Sequence, residues 1–213
     1  IEKSPLILEN IYSGHQSDEK LFEGLPNELG DLFRTIENKA LILKNKKDRF
    51  SDFIEKHDLL EIISPQSLVN ASIDEPLVLK VAETHLIEIR KALEDYYTSV
   101  TEQIKSSNLP ENFRDSMLDG FIKSRNKNYP LHKSEIDVTL EILQILKNLY
   151  YLAAISDMAY DSSTDEIIMR SEKSISEYNS LMDRLSRLWK EAETIESNII
   201  KSRQALLINN STQ

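Results

Sequence analysis

The sequence predicts an all-α protein, an elongated bundle of four long helices with one or two short ones. Three observations carry this. Only four glycines occur in 213 residues. Apolar residues recur every three to four positions over long stretches, the period that places side chains on one face of a helix. Pro65, Pro76 and Pro110 fall where a new periodic stretch begins, and proline is well tolerated only in a helix's first turn.

Residues 1–26 hold Gly14, Gly24, Pro5 and Pro26 without a sustained period and read as a flexible N-terminal arm or tether. From Asn27 the stripe Leu29, Leu32, Phe33, Ile36, Ala40, Leu43, Phe50, Phe53 and Ile54 predicts a helix ending near His57. Ser64-Pro65-Gln66 pairs a capping hydroxyl with proline at the first helical position, which predicts a short helix through Val69. Asp74 and Pro76 repeat that signal. The stripe they open runs Val78, Val81, Ala82, His85, Ile89, Ala92, Leu93, Tyr96, Val100 and Ile104.

Pro110-Glu111 opens a shorter helix carrying Phe113, Met117 and Phe121, and the polar stretch Asn126–Lys133 reads as a loop. Ser134, with Asp137 three residues on, then starts a helix that is apolar around most of its circumference from Ile136 to Ile155. Such a helix belongs at the centre of a bundle. Asp161–Asp165 is a turn, and a short extended stretch or helical turn follows near 166–170. The last helix carries Ile175, Tyr178, Leu181, Met182, Leu185, Leu188, Trp189, Ala192, Ile195 and Ile199, a spacing close to heptads. Residues 27–208 are thus expected to form one bundle, with 209–213 a frayed tail.

Composition narrows the function. A net charge of −10 disfavours nucleic acid and anionic lipid as partners. With no cysteine there is neither a disulfide nor a thiolate metal site. The longest uninterrupted apolar run is Leu149–Ile155, where spanning a bilayer takes about 20 residues, so no transmembrane segment is expected. No phosphate-cradling glycine loop, nucleophile elbow or metal-binding helix motif occurs. No catalytic residue, metal ligand or cofactor is assigned.

Four groups of residues invite a site and each has a plainer reading. His85 lies on an apolar stripe with Glu88 nearby, and reads first as a half-buried histidine. Asp157, Asp161 and Asp165 offer oxygen donors but lack the glycine and terminal glutamate of a calcium loop, and read as an acidic turn. The basic stretches Lys44–Arg49 and Lys123–Lys133, the latter with Tyr129 and His132, read as solvated surface. Among the aromatic residues, Tyr96, Tyr150 and Tyr178 match the stripes and are expected in the core. Their neighbours Tyr97 and Tyr151 point about 100° away. They are the expected contact residues, exposed or lining a pocket with His85.

The succession of a very apolar helix, then Asp165-Glu166-Ile167-Ile168-Met169, then Ser176-Glu177-Tyr178-Asn179-Ser180-Leu181, resembles helical domains of bacterial cell-envelope lipoproteins. The resemblance implies a periplasmic or envelope location, a lipid anchor supplied upstream of residue 1, and no catalytic residues to carry over. The expected function is a non-enzymatic helical binding or scaffold domain with a protein partner. The alternatives are a cytoplasmic or secreted adaptor, chaperone or effector pairing through its last helix, and a small-ligand carrier with an inter-helix pocket.

Overall fold

The computed structural model describes residues 25–57, 64–70, 74–156, 158–164 and 166–210. The expected arm at 1–26 therefore lies almost wholly outside the described residues, as do Asp157, Asp165 and the last three residues of the tail. Helices α1 (Asn27–Lys56), α2 (Pro65–Val69), α3 (Asp74–Ser106) and α4 (Glu111–Ile155) are followed by strands β1 (Ala159–Asp161) and β2 (Glu166–Ile168) and by α5 (Glu172–Asn210). The fold is all-α with one small hairpin. Asn209 and Asn210, expected to fray, are the last two residues of α5.

Local chemistry sets the element starts. Ser64 caps α2: its Oγ accepts from the Ser67 backbone N–H at 3.1 Å, and Pro65 stands at the first helical position. The Pro110 carbonyl accepts from Phe113 and Arg114, starting α4. Ser171 caps α5, its Oγ accepting from the Ser174 N–H at 3.4 Å. The stretch left untyped near 166–170 is β2, paired antiparallel with β1 in the register Ala159↔Ile168, Tyr160↔Ile167 and Asp161↔Glu166.

The loop expected at Asn126–Lys133 is not there. Instead α4 runs unbroken from Glu111 to Ile155 with Pro130 inside it. Tertiary partners explain why. Ser202 Oγ donates to Asn128 Oδ1 at 2.8 Å, and the Tyr129 ring meets Tyr97 edge-on at 5.4 Å. Lys47 Nζ lies 3.5 Å from His132 Nδ1. Contacts from α1, α3 and α5 thus hold the segment helical, against a proline cost of about 3 kcal/mol. Ser134 consequently caps nothing and lies in mid-helix.

The chain gathers into two compact units, each long helix contributing to both. The first comprises residues 25–48, 88–133 and 199–210; the second comprises the described residues of 49–87 and 134–198. In the first, Leu29, Leu32, Phe33 and Ile36 of α1 pack with Val100 and Ile104 of α3 and with Leu109. In the second, Leu79, Ala82 and Leu86 of α3 are buried, as are Ile142, Leu143, Ile145, Leu146 and Leu149 of α4 and Leu181, Leu185 and Leu188 of α5. Leu68 of α2, at 1% exposure, is among the most deeply buried, and α2 packs on the hairpin.

The buried stripe of α3 differs from the expected one. It is Leu79, Ala82, Leu86, Ile89, Leu93, Tyr97, Val100 and Ile104, with Ala92 buried beside Leu93 as expected, while Val81 is exposed and Val78 half-buried. Steps of three and four residues alternate along it, with one extra four-step that brings in Tyr97. The stripe of α5 is as expected from Leu181 to Ile199, and Ser202 continues it.

By length and composition α4 could cross a membrane. Nine of its residues from Ile136 to Leu152 are buried in the second unit, while Leu140 is half-buried and Tyr151 exposed.

Candidate functional site

The outer face of α4 in the second unit carries two of the exposed large apolar side chains among the described residues. Nine of the helix's residues between Ile136 and Leu152 are buried. The remaining stripe, Gln144, Asn148, Tyr151 and Ile155, follows steps of three and four and faces outward. Gln144 Nε2 donates to Asn148 Oδ1 at 3.0 Å, so the stripe begins as an ordered polar pair. It then turns apolar: Tyr151 is 67% and Ile155 63% exposed. Two ion pairs flank the same helix, Lys147 to Glu83 at 2.7 Å and Arg184 to Glu141 at 2.9 Å. They link α4 to α3 and α5 beside the stripe.

Tyr151 is therefore exposed as expected, with Tyr150 buried beside it. Tyr97 is not. It is 7% exposed and sits among Tyr96 at 5.1 Å, Phe121 at 5.8 Å and Tyr129 at 5.4 Å, all measured between ring centroids. Tyr96, expected in the core, is the half-buried one. Both residues fit a helical stripe between Leu93 and Val100, and the aromatic partners on α4 select Tyr97. It is a core residue of the first unit, not a contact residue.

His85 is half-buried against two rings of α1, Phe53 at 5.2 Å and Phe50 at 6.5 Å, and Phe53 also meets His57 at 4.5 Å. Glu88, the expected partner of His85, instead receives Lys46 Nζ at 2.7 Å. Neither Tyr151 nor His85 borders the open depression that runs along α5 in the second unit, lined by Glu172, Ile175, Ser176, Asn179, Ser180, Asp183 and Arg187. It would offer a ligand little enclosure.

Of the three aspartates expected at the acidic turn, only Asp161 lies among the described residues. Its Oδ1 accepts from the Ser163 backbone N–H at 2.9 Å and from Ser163 Oγ at 2.7 Å, closing the turn between β1 and β2. The Ser163 hydroxyl, and after it the Ser163 N–H, hold the Asp161 carboxyl below the usual carboxylate range. The hairpin therefore gains stability from Asp161 above its unfolded pKa and loses it as pH falls through the lower folded value. Ser163→Ala is expected to move the Asp161 carboxyl back up toward its ordinary value, read by NMR titration of the side-chain carbonyl carbon.

Among the described residues no group of three or more acidic or histidine side chains converges as a metal site would require. Burial pushes the half-buried Tyr178 phenol above its ordinary value, a sign of packing rather than of a charged neighbour. No family model matches the chain, and neither a curated protein nor a solved structure does.

Proposed function

We propose that the chain is a helical binding or scaffold domain that engages a protein partner through the exposed face of α4, with Tyr151 and Ile155 as its apolar anchors. The supporting observation is the exposure of an aromatic and a branched aliphatic side chain, one turn apart, at the end of a helical segment that holds nine buried residues from Ile136 to Leu152. A flat amphipathic ring with a polar tip is favoured at protein contacts, because it offers much area for little lost side-chain freedom. The neighbouring Gln144 and Asn148 supply the polar rim such a contact requires.

The proposed setting is the bacterial cell envelope, supported by the resemblance in the segment from Asp165 to Leu181. Pairing through the heptad stripe of α5 has less support, since Leu181, Leu185, Leu188, Ile195 and Ile199 are already buried within the chain. The experiment is capture of partners from fractionated host cells with the wild-type chain and with Tyr151→Ser/Ile155→Ser. Partner yield is expected to fall at least about tenfold in the variant while helical content is unchanged. Undiminished capture would remove this face from the account.

A further inference from the structure

Two ion pairs in the second unit fix which residues of α3 and α5 come level with the outward stripe of α4. The turn at 107–110 returns α4 antiparallel to α3, and the hairpin returns α5 antiparallel to α4, with Glu141 and Arg184 about equally far from it. Counted from Glu83–Lys147, Lys80 of α3 is level with Tyr150; counted from Glu141–Arg184, Lys173 of α5 is level with Leu152. Steps of three and eleven residues keep Lys80 and Lys173 on the α4-facing sides that Glu83 and Arg184 mark. Both lysines are exposed. They therefore bracket Tyr151 on the outer surface, each about one helix spacing, 8–10 Å, away.

Their charges are uncompensated. Among the described residues neither the Lys80 nor the Lys173 ammonium makes a hydrogen bond or ion pair. The other charges that border this part of α4, Glu83, Lys147, Glu141 and Arg184, cancel in pairs. The acid on the same side of α5, Glu177, stands one turn along from Lys173, level with Asn148 and the polar end of the stripe. The apolar end thus carries two open positive charges in a chain of net charge −10.

We infer that the segment bound on this face is acidic: an amphipathic stretch of a partner protein whose apolar side chains cover Tyr151 and Ile155 and whose carboxylates reach Lys80 and Lys173. The inference rests on the reading of α4 as a protein-binding face and adds the chemistry of what it binds. Apolar contact supplies the affinity, and the two lysines at its edge steer and discriminate among segments. A second copy would bring its own two lysines to the same contact around the two-fold axis. A bilayer takes a broad apolar face, and here the paired amides of Gln144 and Asn148 occupy half the stripe.

The test is photo-crosslinking of the full chain in its own host, with a photoreactive phenylalanine analogue at position 151 in four backgrounds. These are the otherwise native chain, Lys80→Glu/Lys173→Glu, Lys80→Arg/Lys173→Arg, and Lys56→Glu/Lys190→Glu, an equal charge change on exposed residues elsewhere in the second unit. Circular dichroism of each purified variant confirms its fold. Adduct yield is expected to fall at least about tenfold with Lys80→Glu/Lys173→Glu and to stay within about twofold for the other two pairs. The partner peptide joined to position 151 is expected to hold two or more Asp or Glu within one helical turn of the joined residue. An undiminished yield after Lys80→Glu/Lys173→Glu, or an equal loss with either of the other pairs, overturns the inference and leaves the α4 face standing. No adduct in any background removes the face itself. An adduct of twice the chain's mass, or one with lipid, assigns the face to a second copy or to a membrane and overturns the inference likewise.

Discussion

Truncating Tyr97 to alanine is expected to lower the unfolding free energy by about 3–4 kcal/mol, while the same truncation at Tyr151 changes it by less than about 0.5 kcal/mol. At Tyr97 the substitution removes a ring that is 7% exposed and touches Tyr96, Phe121 and Tyr129. The loss combines the transfer of apolar surface with a cavity that three flanking rings can only partly close. Tyr129 would also lose the contact that helps keep Asn126–Lys133 helical. At Tyr151, 67% exposed, there is little buried area to lose. Urea titration of both variants, followed by circular dichroism at 222 nm, measures the difference. Equal effects would mean that Tyr97 is not the buried member of its pair.

Replacing Pro130 by alanine is expected to raise stability by about 2 kcal/mol, an uncommon sign for a single substitution. Proline in a helix interior removes the N–H that would bond to the Asn126 carbonyl and crowds that carbonyl with its ring. Alanine restores the bond and has the highest helix propensity. Part of the gain, about 0.4–1 kcal/mol, is returned because the unfolded chain becomes less restricted. The same urea titration reads this result. A loss of stability would show instead that the backbone shape imposed by proline is needed for Asn128 to reach Ser202 and for Tyr129 to reach Tyr97.

These two sites also mark where the sequence was legible and where it was not. Ser64-Pro65 announces α2 because capping is local chemistry, complete within four residues. The stripe of α5 can be read from Leu181 to Ile199 because its intervening positions are mostly polar, leaving one choice of face. In α3 the pairs Val78-Leu79 and Val81-Ala82 put apolar residues on adjacent positions, so two faces fit equally well. Packing chose Leu79 and Ala82, and with them Tyr97 over Tyr96.

Asn126–Lys133 reads as a loop because asparagine and proline disfavour helix locally. What overrides them, the side chains of Lys47, Tyr97 and Ser202, comes from 30 or more residues away in sequence. No local pattern carries that information. The candidate site was half legible for a related reason. The buried stripe of α4 is dense enough that Tyr151 must lie outside it, whereas the sequence pattern places Ile155, at the exposed end of the same face, in the core. Only the burial of its neighbours shows that Ile155 joins Tyr151 on the outer surface.

The central claim, that this outer face of α4 is where a partner binds, is tested most directly by site-specific photo-crosslinking in the native host. A photoreactive phenylalanine analogue at position 151 or 155 is expected to yield a discrete higher-mass adduct. The same group at the exposed positions Glu191 or Glu196 of α5 should yield none. Adducts at 191 or 196 but not at 151 or 155 would contradict the account and move the contact surface to α5.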